Sequence, residues 1–149
     1  MGNERVTEDM VDALLRDHGY YADPDTIVVE KQQSTIVAIK QGLSKASKSG
    51  KGGAGYPEFV ITAPDTPDMV VLVECKADIA KHESPNRDRP VDFAVDGVLH
   101  YARFLSPKFT VIAFAVSGDN KGNRWSTFLV PKGQTDPRPL SPNPPVRLR

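Results

Sequence analysis

Apolar residues gather along the chain in a few strong runs, and the strongest pair flanks a short polar loop. Phe59 to Ile61 and Met69 to Val73 stand on either side of Ala63 to Asp68, which contains Pro64 and Pro67. Phe, Val and Ile fit a pleated surface, whereas Pro and Asp punctuate turns, so Pro57 to Ala77 predicts a β-hairpin. Nothing polar interrupts Met69 to Val73, the pattern of a strand covered on both faces. Glu74, Cys75 and Lys76 follow. Alternation along a strand puts Glu74 and Lys76 on one face and Cys75 on the other. A hairpin folded about Thr66 sets Glu58 opposite Glu74.

Helical spacing appears on both sides of this hairpin. Val6, Met10, Leu14 and Leu15 form a stripe in a helix capped by Thr7 and running to about Asp17, with Glu8 and Asp9 in its first turn and His18-Gly19 at its end. Thr26 to Val29 reads as a short strand or as the lead-in to the next helix. Ser34 or Thr35 caps a second helix running to about Lys48, whose apolar positions are Ile36, Val37, Ile39, Leu43 and Ala46. Asp92 to Leu105 predicts a third, with Phe93, Val95, Val98, Leu99, Ala102 and Leu105 inside and Pro107 beyond its end. Phe109 to Val116 is a further buried strand, Ser117 to Asn123 a turn, and Trp125 to Val130 a last strand. A strand, a helix and another buried strand imply a crossover, so at least part of the sheet is parallel and the class is α/β. Residues 1–133 read as one domain. Thr135 to Arg149 holds five prolines and no core pattern, so 134–149 reads as a linker or tail.

Charge and cysteine usage narrow the setting. The 149 residues carry a formal net charge of zero, so attraction to nucleic acid must come from local patches. One such patch exists: 31–57 contains Lys31, Lys40, Lys45, Lys48 and Lys51 and no acid. It reads as a solvated face or as a phosphate-contacting stripe. Cys75 is the only cysteine, which excludes an intrachain disulfide and suits a reducing, cytoplasmic setting. No apolar run approaches the roughly 20 residues that span a bilayer, so no membrane partner is expected. Gly50 to Gly55 has the spacing of a dinucleotide loop, but the helix comes before it and the strand after, the reverse of what that loop needs. It reads as a flexible approach loop. Asp78 to Arg89 is polar and reads as a surface loop, with His82 a loop residue or a ligand.

Two carboxylates and a lysine at the end of a buried strand are costly unless they bind something, and a divalent cation is the natural ligand. Phosphodiester hydrolysis needs carboxylates to hold Mg2+, an oriented water and a cation facing the phosphate. Glu58 and Glu74 suit the first role, with the Cys75 backbone carbonyl as a further oxygen. Lys76 suits the water or the developing charge. The competing reading is a salt bridge at a strand end, worth little.

This order of motifs resembles the PD-(D/E)xK nuclease superfamily. More narrowly, Ala46-Ser47-Lys48, Gly55-Tyr56-Pro57-Glu58-Phe59, Val73-Glu74-Cys75-Lys76-Ala77-Asp78, Lys81-His82-Glu83-Ser84, Asp96-Gly97-Val98-Leu99-His100-Tyr101-Ala102 and Ala115-Val116-Ser117-Gly118 resemble the N-terminal nuclease domain of restriction–modification polypeptides. In those, a DNA methyltransferase or helicase follows. The resemblance spans about Glu30 to Gly133. It implies a restriction-endonuclease-like αβββαβ core, a central mixed sheet flanked by helices. It also implies Mg2+ dependence with Mn2+ as a substitute, DNA cleavage in defence, and methyltransferase or helicase domains in the same longer polypeptide.

Position by position, Glu58 stands where the family has Asp, and Glu74 and Lys76 fill the Glu-x-Lys positions. Tyr101 matches the family's Gln-x-x-x-Tyr, whereas Gly97 replaces the Gln, so Asp96, His100 or no residue supplies that contact. An acid near the first helix assists the metal in such folds, and Glu30 is the candidate. Lys40, Lys45, Lys48, Lys51, Lys81, His82 and Tyr101 are the candidate DNA contacts. The alternatives are a non-catalytic nucleic-acid-binding or assembly module of the same fold, and a repair or junction-resolving nuclease. No zinc-finger spacing and no helix-turn-helix is visible, so no target sequence follows from the chain.

Overall fold

The structure, a computed structural model, describes residues 4–140. In chain order it contains α1 (Glu4–Asp17), β1 (Val28–Glu30), α2 (Val37–Gly42), β2 (Phe59–Thr62), β3 (Met69–Lys76), a 3-10 turn (Ile79–Lys81), α3 (Ala94–Leu105), β4 (Thr110–Asp119), β5 (Gly122–Val130) and β6 (Arg138–Pro139). The strands form one sheet in sequence order, β1 to β6. The α3 crossover makes β3 and β4 parallel, and every other neighbouring pair is antiparallel. This is the α/β, restriction-endonuclease-like arrangement of a mixed sheet flanked by helices. No helix among the described residues is long and apolar enough to cross a membrane.

β3 shows why Met69 to Val73 carries no polar residue. Val70 and Leu72 enter a core with Ile39 and Leu43 of the α2 region and Val98 and Leu105 of α3. Val71, Val73 and Cys75 enter a second core with Val11, Leu15 and Tyr20 from α1 and the loop after it. Helices therefore cover both faces of the strand. The hairpin closes as expected, with Phe59 opposite Val73 and Thr62 opposite Val70. Continuing that register sets Glu58 against Glu74.

The structure differs from the sequence pattern in four places. Thr7 is not a cap. It lies within α1, is buried, and its hydroxyl donates to Gly118 O at 2.6 Å, with Lys76 O at 3.3 Å. The buried stripe is Thr7, Val11 and Leu15, and Val6 is turned out, 47% exposed. A search for apolar positions passes over a threonine that faces the sheet. α2 stops at Gly42, well short of Lys48, and begins after Ile36 without a side-chain cap. The chain bends back there so that the Gly55 N–H reaches Leu43 O at 2.8 Å.

β4 and β5 consume most of the expected 117–123 turn and pair down to Asp119 and Gly122. Finally, β6 pairs with β5, Arg138 against Leu129 and Pro139 against Phe128. A proline is tolerated at a sheet edge, where no further strand needs its missing N–H. The sheet therefore runs past 133, where a linker was expected. The remainder of that expected linker, 141–149, lies outside the described residues. Thr26 to Val29 resolves in favour of a strand, β1.

Candidate active site

Glu74 leaves β3 on the α3 side of the sheet and is fully buried. Both of its oxygens are engaged. Oε1 accepts the Glu58 N–H at 3.1 Å, and Oε2 accepts Lys48 Nζ at 2.8 Å. α3 leaves room for this because it presents a glycine: a Cβ at Gly97 would stand 3.2 Å from Glu74 Oε2 and 3.4 Å from Lys48 Cδ. Lys48 is placed from three directions. His100 Nε2 donates to Ala46 O and Ser47 O at 3.0 and 3.1 Å. The Ser47 N–H bonds to Gly53 O at 3.0 Å, which folds the glycine-rich loop back on itself. The Tyr101 ring lies 5.8 Å from Nζ. Gly55 seals this corner, since a Cβ there would stand 2.5 Å from Tyr101 Cε1 and 2.7 Å from Ala46 O. The loop expected to be a flexible approach is thus fitted against its neighbours only at its Gly55 end, whereas Gly50 and Gly52 are exposed and meet nothing within 4 Å.

Glu58 immediately precedes β2, and its Oε2 is buried without a hydrogen-bond partner among the described residues. Burial pushes the Glu58 carboxyl up to about 8, helped by the charges of Glu74, Glu8 and Glu4 and by contact with the Glu8 carboxyl. Burial likewise pushes Glu74 up, opposed by Lys48, the Glu58 N–H and Lys76. Burial would lower Lys48, but its bond to Glu74 outweighs that and raises it. The two shifts favour opposite states of the pair. The geometry decides for the ion pair, because each Glu74 oxygen faces a donor. Lys76 reaches the same region: its Nζ donates to Val91 O at 2.8 Å and lies 3.9 Å from Glu4 Oε1.

Glu4 and Glu8 were not identified from sequence. Acids in the first turns of a helix read as partners of its dipole, and nothing local shows that α1 docks at the end of β3. The Thr7 bonds to Lys76 O and Gly118 O hold it there.

Several expected site residues lie elsewhere. Glu30 accepts Ser34 Oγ at 2.7 Å and Thr35 N and Oγ1 at 2.8 Å. It fastens the turn between β1 and α2 and is not among the acids acting on Glu58. His82, expected in a surface loop, is fully buried. Its ring nitrogens lie 2.8 Å from the Ser117 and Ser126 hydroxyls, so neither is left for a phosphate. Tyr101 is also buried, and its hydroxyl accepts the Tyr56 N–H at 3.3 Å. It supports Lys48 and does not face a groove.

Asp96 accepts Ser84 N, Ser84 Oγ and Arg89 N, which ties down the 84–89 loop. It and His100 therefore bind backbone around the site. Lys40, Lys45 and Lys51 are exposed, as DNA contacts must be. Lys81 is half-buried, with its Nζ 5.2 Å from the Phe93 ring centre. The Cys75 side chain is buried in the α1-side core, which leaves only its backbone for the expected ligand role.

The donors assembled here are carboxylate oxygens, hard ligands that suit Mg2+ or Mn2+. The unpartnered, buried Glu58 Oε2 beside Glu74 fits a small cation that takes one or two carboxylates and keeps several waters. Among the described residues, no three His, Cys, Asp or Glu side chains stand together as a ready-made metal set.

No protein-family model matches the chain, and no solved structure matches it. In sequence the chain is similar to the type II restriction enzyme and methyltransferase RM.BcgI of Heyndrickxia coagulans. The two are 34% identical over 133 residues, which cover 80% of this chain and 19% of that protein. The chain thus spans about a fifth of the length of the relative it matches.

Proposed function

We propose that this chain is the DNA-cleaving part of a restriction–modification enzyme, a Mg2+-dependent endonuclease of the PD-(D/E)xK type acting in defence. One observation carries the reading: Glu58 and Glu74 meet across the hairpin at the end of the parallel strand, with Lys76 two residues along. Similarity to a protein named as both restriction enzyme and methyltransferase supports it. It also supports a methyltransferase partner in a longer polypeptide.

Glu58 and Glu74 would hold the cation, with the Cys75 carbonyl as a further oxygen. Such an ion supplies Lewis acidity at a phosphate and a more acidic water. The chain's own contribution is positional. The Glu58 N–H fixes the orientation of Glu74. Val91 O holds the Lys76 ammonium close to the acids, where it can orient a water or meet developing negative charge. Exposed Lys40, Lys45 and Lys51 would contact phosphates.

Incubation with DNA and Mg2+ or Mn2+ tests this. Wild type should cleave, and Lys76→Ala should lose on the order of 10²-fold in rate. Unchanged cleavage by Lys76→Ala overturns the mechanism. The Lys48 ammonium already neutralising Glu74 favours a second reading, a non-catalytic nucleic-acid-binding module. Calorimetric titration with Mn2+ separates the two: binding lost in Glu74→Gln supports the nuclease, and no binding by wild type supports the module.

A further inference from the structure

Lys48 is among the candidate DNA contacts, yet its side chain is only 20% exposed and ends on a carboxylate with no exposure at all. Its path is built. His100 grips the two carbonyls before it, Tyr101 lies along it, and Gly97 gives it passage past α3. Glu74 Oε1 is taken by backbone, so Oε2 is where a cation can be exchanged. Beside it, Glu58 Oε2 has no partner. Of these two carboxylates, Glu74 alone is paired with a cation among the described residues, carried on a four-carbon stem whose single charged head can let go.

We propose that Lys48 is the resident counter-ion of this site. It neutralises Glu74 while no divalent cation is bound, withdraws toward solvent when a divalent cation takes Glu74 Oε2, and then offers its ammonium to the DNA phosphates. The proposal rests on the reading of Glu58 and Glu74 as a cation site and deepens it. Lys48 acts through Glu74, as a positioning residue and as the metal's competitor. The exchange makes and breaks no covalent bond. A lysine suits it because a buried carboxylate left without a counter-charge is costly to the fold. An arginine would grip both oxygens in a fork and yield less readily.

The test titrates Mn2+ calorimetrically into wild type, Lys48→Met and Lys48→Arg in mildly alkaline buffer. Thermal unfolding of each is recorded with EDTA and with Mn2+. Lys48→Met should bind Mn2+ about tenfold more tightly, since a charge held at contact distance has gone, and Mn2+ should raise its unfolding temperature more than that of wild type. Lys48→Arg should bind Mn2+ more weakly than wild type. With Ca2+ in place of Mn2+, Lys48→Met should show a DNA-binding salt slope reduced by about one.

Mn2+ affinity that is unchanged or weaker in a folded Lys48→Met overturns the proposal. Should Lys48→Met not fold, Lys48→Arg decides, and affinity equal to wild type or tighter overturns it. Wild type that binds no Mn2+ overturns the cation-site reading and the exchange together. Binding abolished by Glu74→Gln but indifferent to Lys48 overturns the exchange alone.

Discussion

Glu58 feels the charges of Glu74, Glu8 and Glu4, and burial with those charges moves its carboxyl from an ordinary 4.5 to about 8. A folded-state value above the unfolded one means that folding takes up a proton between those two limits. The associated stability is fully present below about 4.5 and is lost as pH rises through about 8. Without a divalent cation, wild type should therefore lose stability relative to Glu58→Gln as pH climbs through that window. Denaturant unfolding in EDTA at several pH values measures it, and parallel curves for the two proteins would refute the burial of a shared negative cluster.

The comparison is made at each pH because His82 contributes with the opposite sign. Burial, with the Arg124 charge, lowers His82 from 6.5 to about 4, so its share is full above 6.5 and is lost as pH falls toward 4. The two residues also differ in legibility. The position of Glu58 opposite Glu74 follows from counting along one hairpin. The burial of His82 depends on Ser117 and Ser126, 35 and 44 residues away, and its own neighbours in sequence are polar.

The three central elements, β2, β3 and α3, declare themselves by local pattern, because each buries a continuous or periodic apolar set. α1 is equally amphipathic, yet its role at the site was not legible. Its docking combines the packing of Val11 and Leu15 with one threonine hydroxyl bonded to Gly118 O and Lys76 O, 111 and 69 residues along the chain. α2 ends before its sequence pattern does for a related reason: helical spacing continues to Ala46, but Ala46 is buried by the returning glycine loop and α3. Thr7→Val tests the docking. It keeps the shape and removes the donor, so Gly118 O loses a buried partner at a cost of about 1–3 kcal/mol. Thr7→Ser keeps the donor and should lose less. Equal losses in chemical denaturation would mean that packing, and not the hydrogen bond, holds α1 over the acids.

At the scale of the whole chain, a formal net charge of zero gives no general field for DNA. Any affinity must be local, and the structure divides the lysines of the acid-free 31–57 segment into two kinds. Lys48 is withdrawn into the site on Glu74, whereas Lys31, Lys40, Lys45 and Lys51 remain exposed, Lys31 at 3.6 Å from Asp12 of α1. Only the exposed kind can release counterions from DNA before a metal binds. Replacing Lys40, Lys45 and Lys51 together by Ala should therefore weaken duplex binding about equally for all sequences. It should also reduce the log–log salt slope by close to three, since each phosphate contact contributes about 0.9. Fluorescence anisotropy across a salt series, in EDTA so that no strand is cut, reads both quantities. A slope that does not change would move the DNA path away from this face. A change that depends on base sequence would place target reading within this chain, against the absence of any reading motif in its sequence.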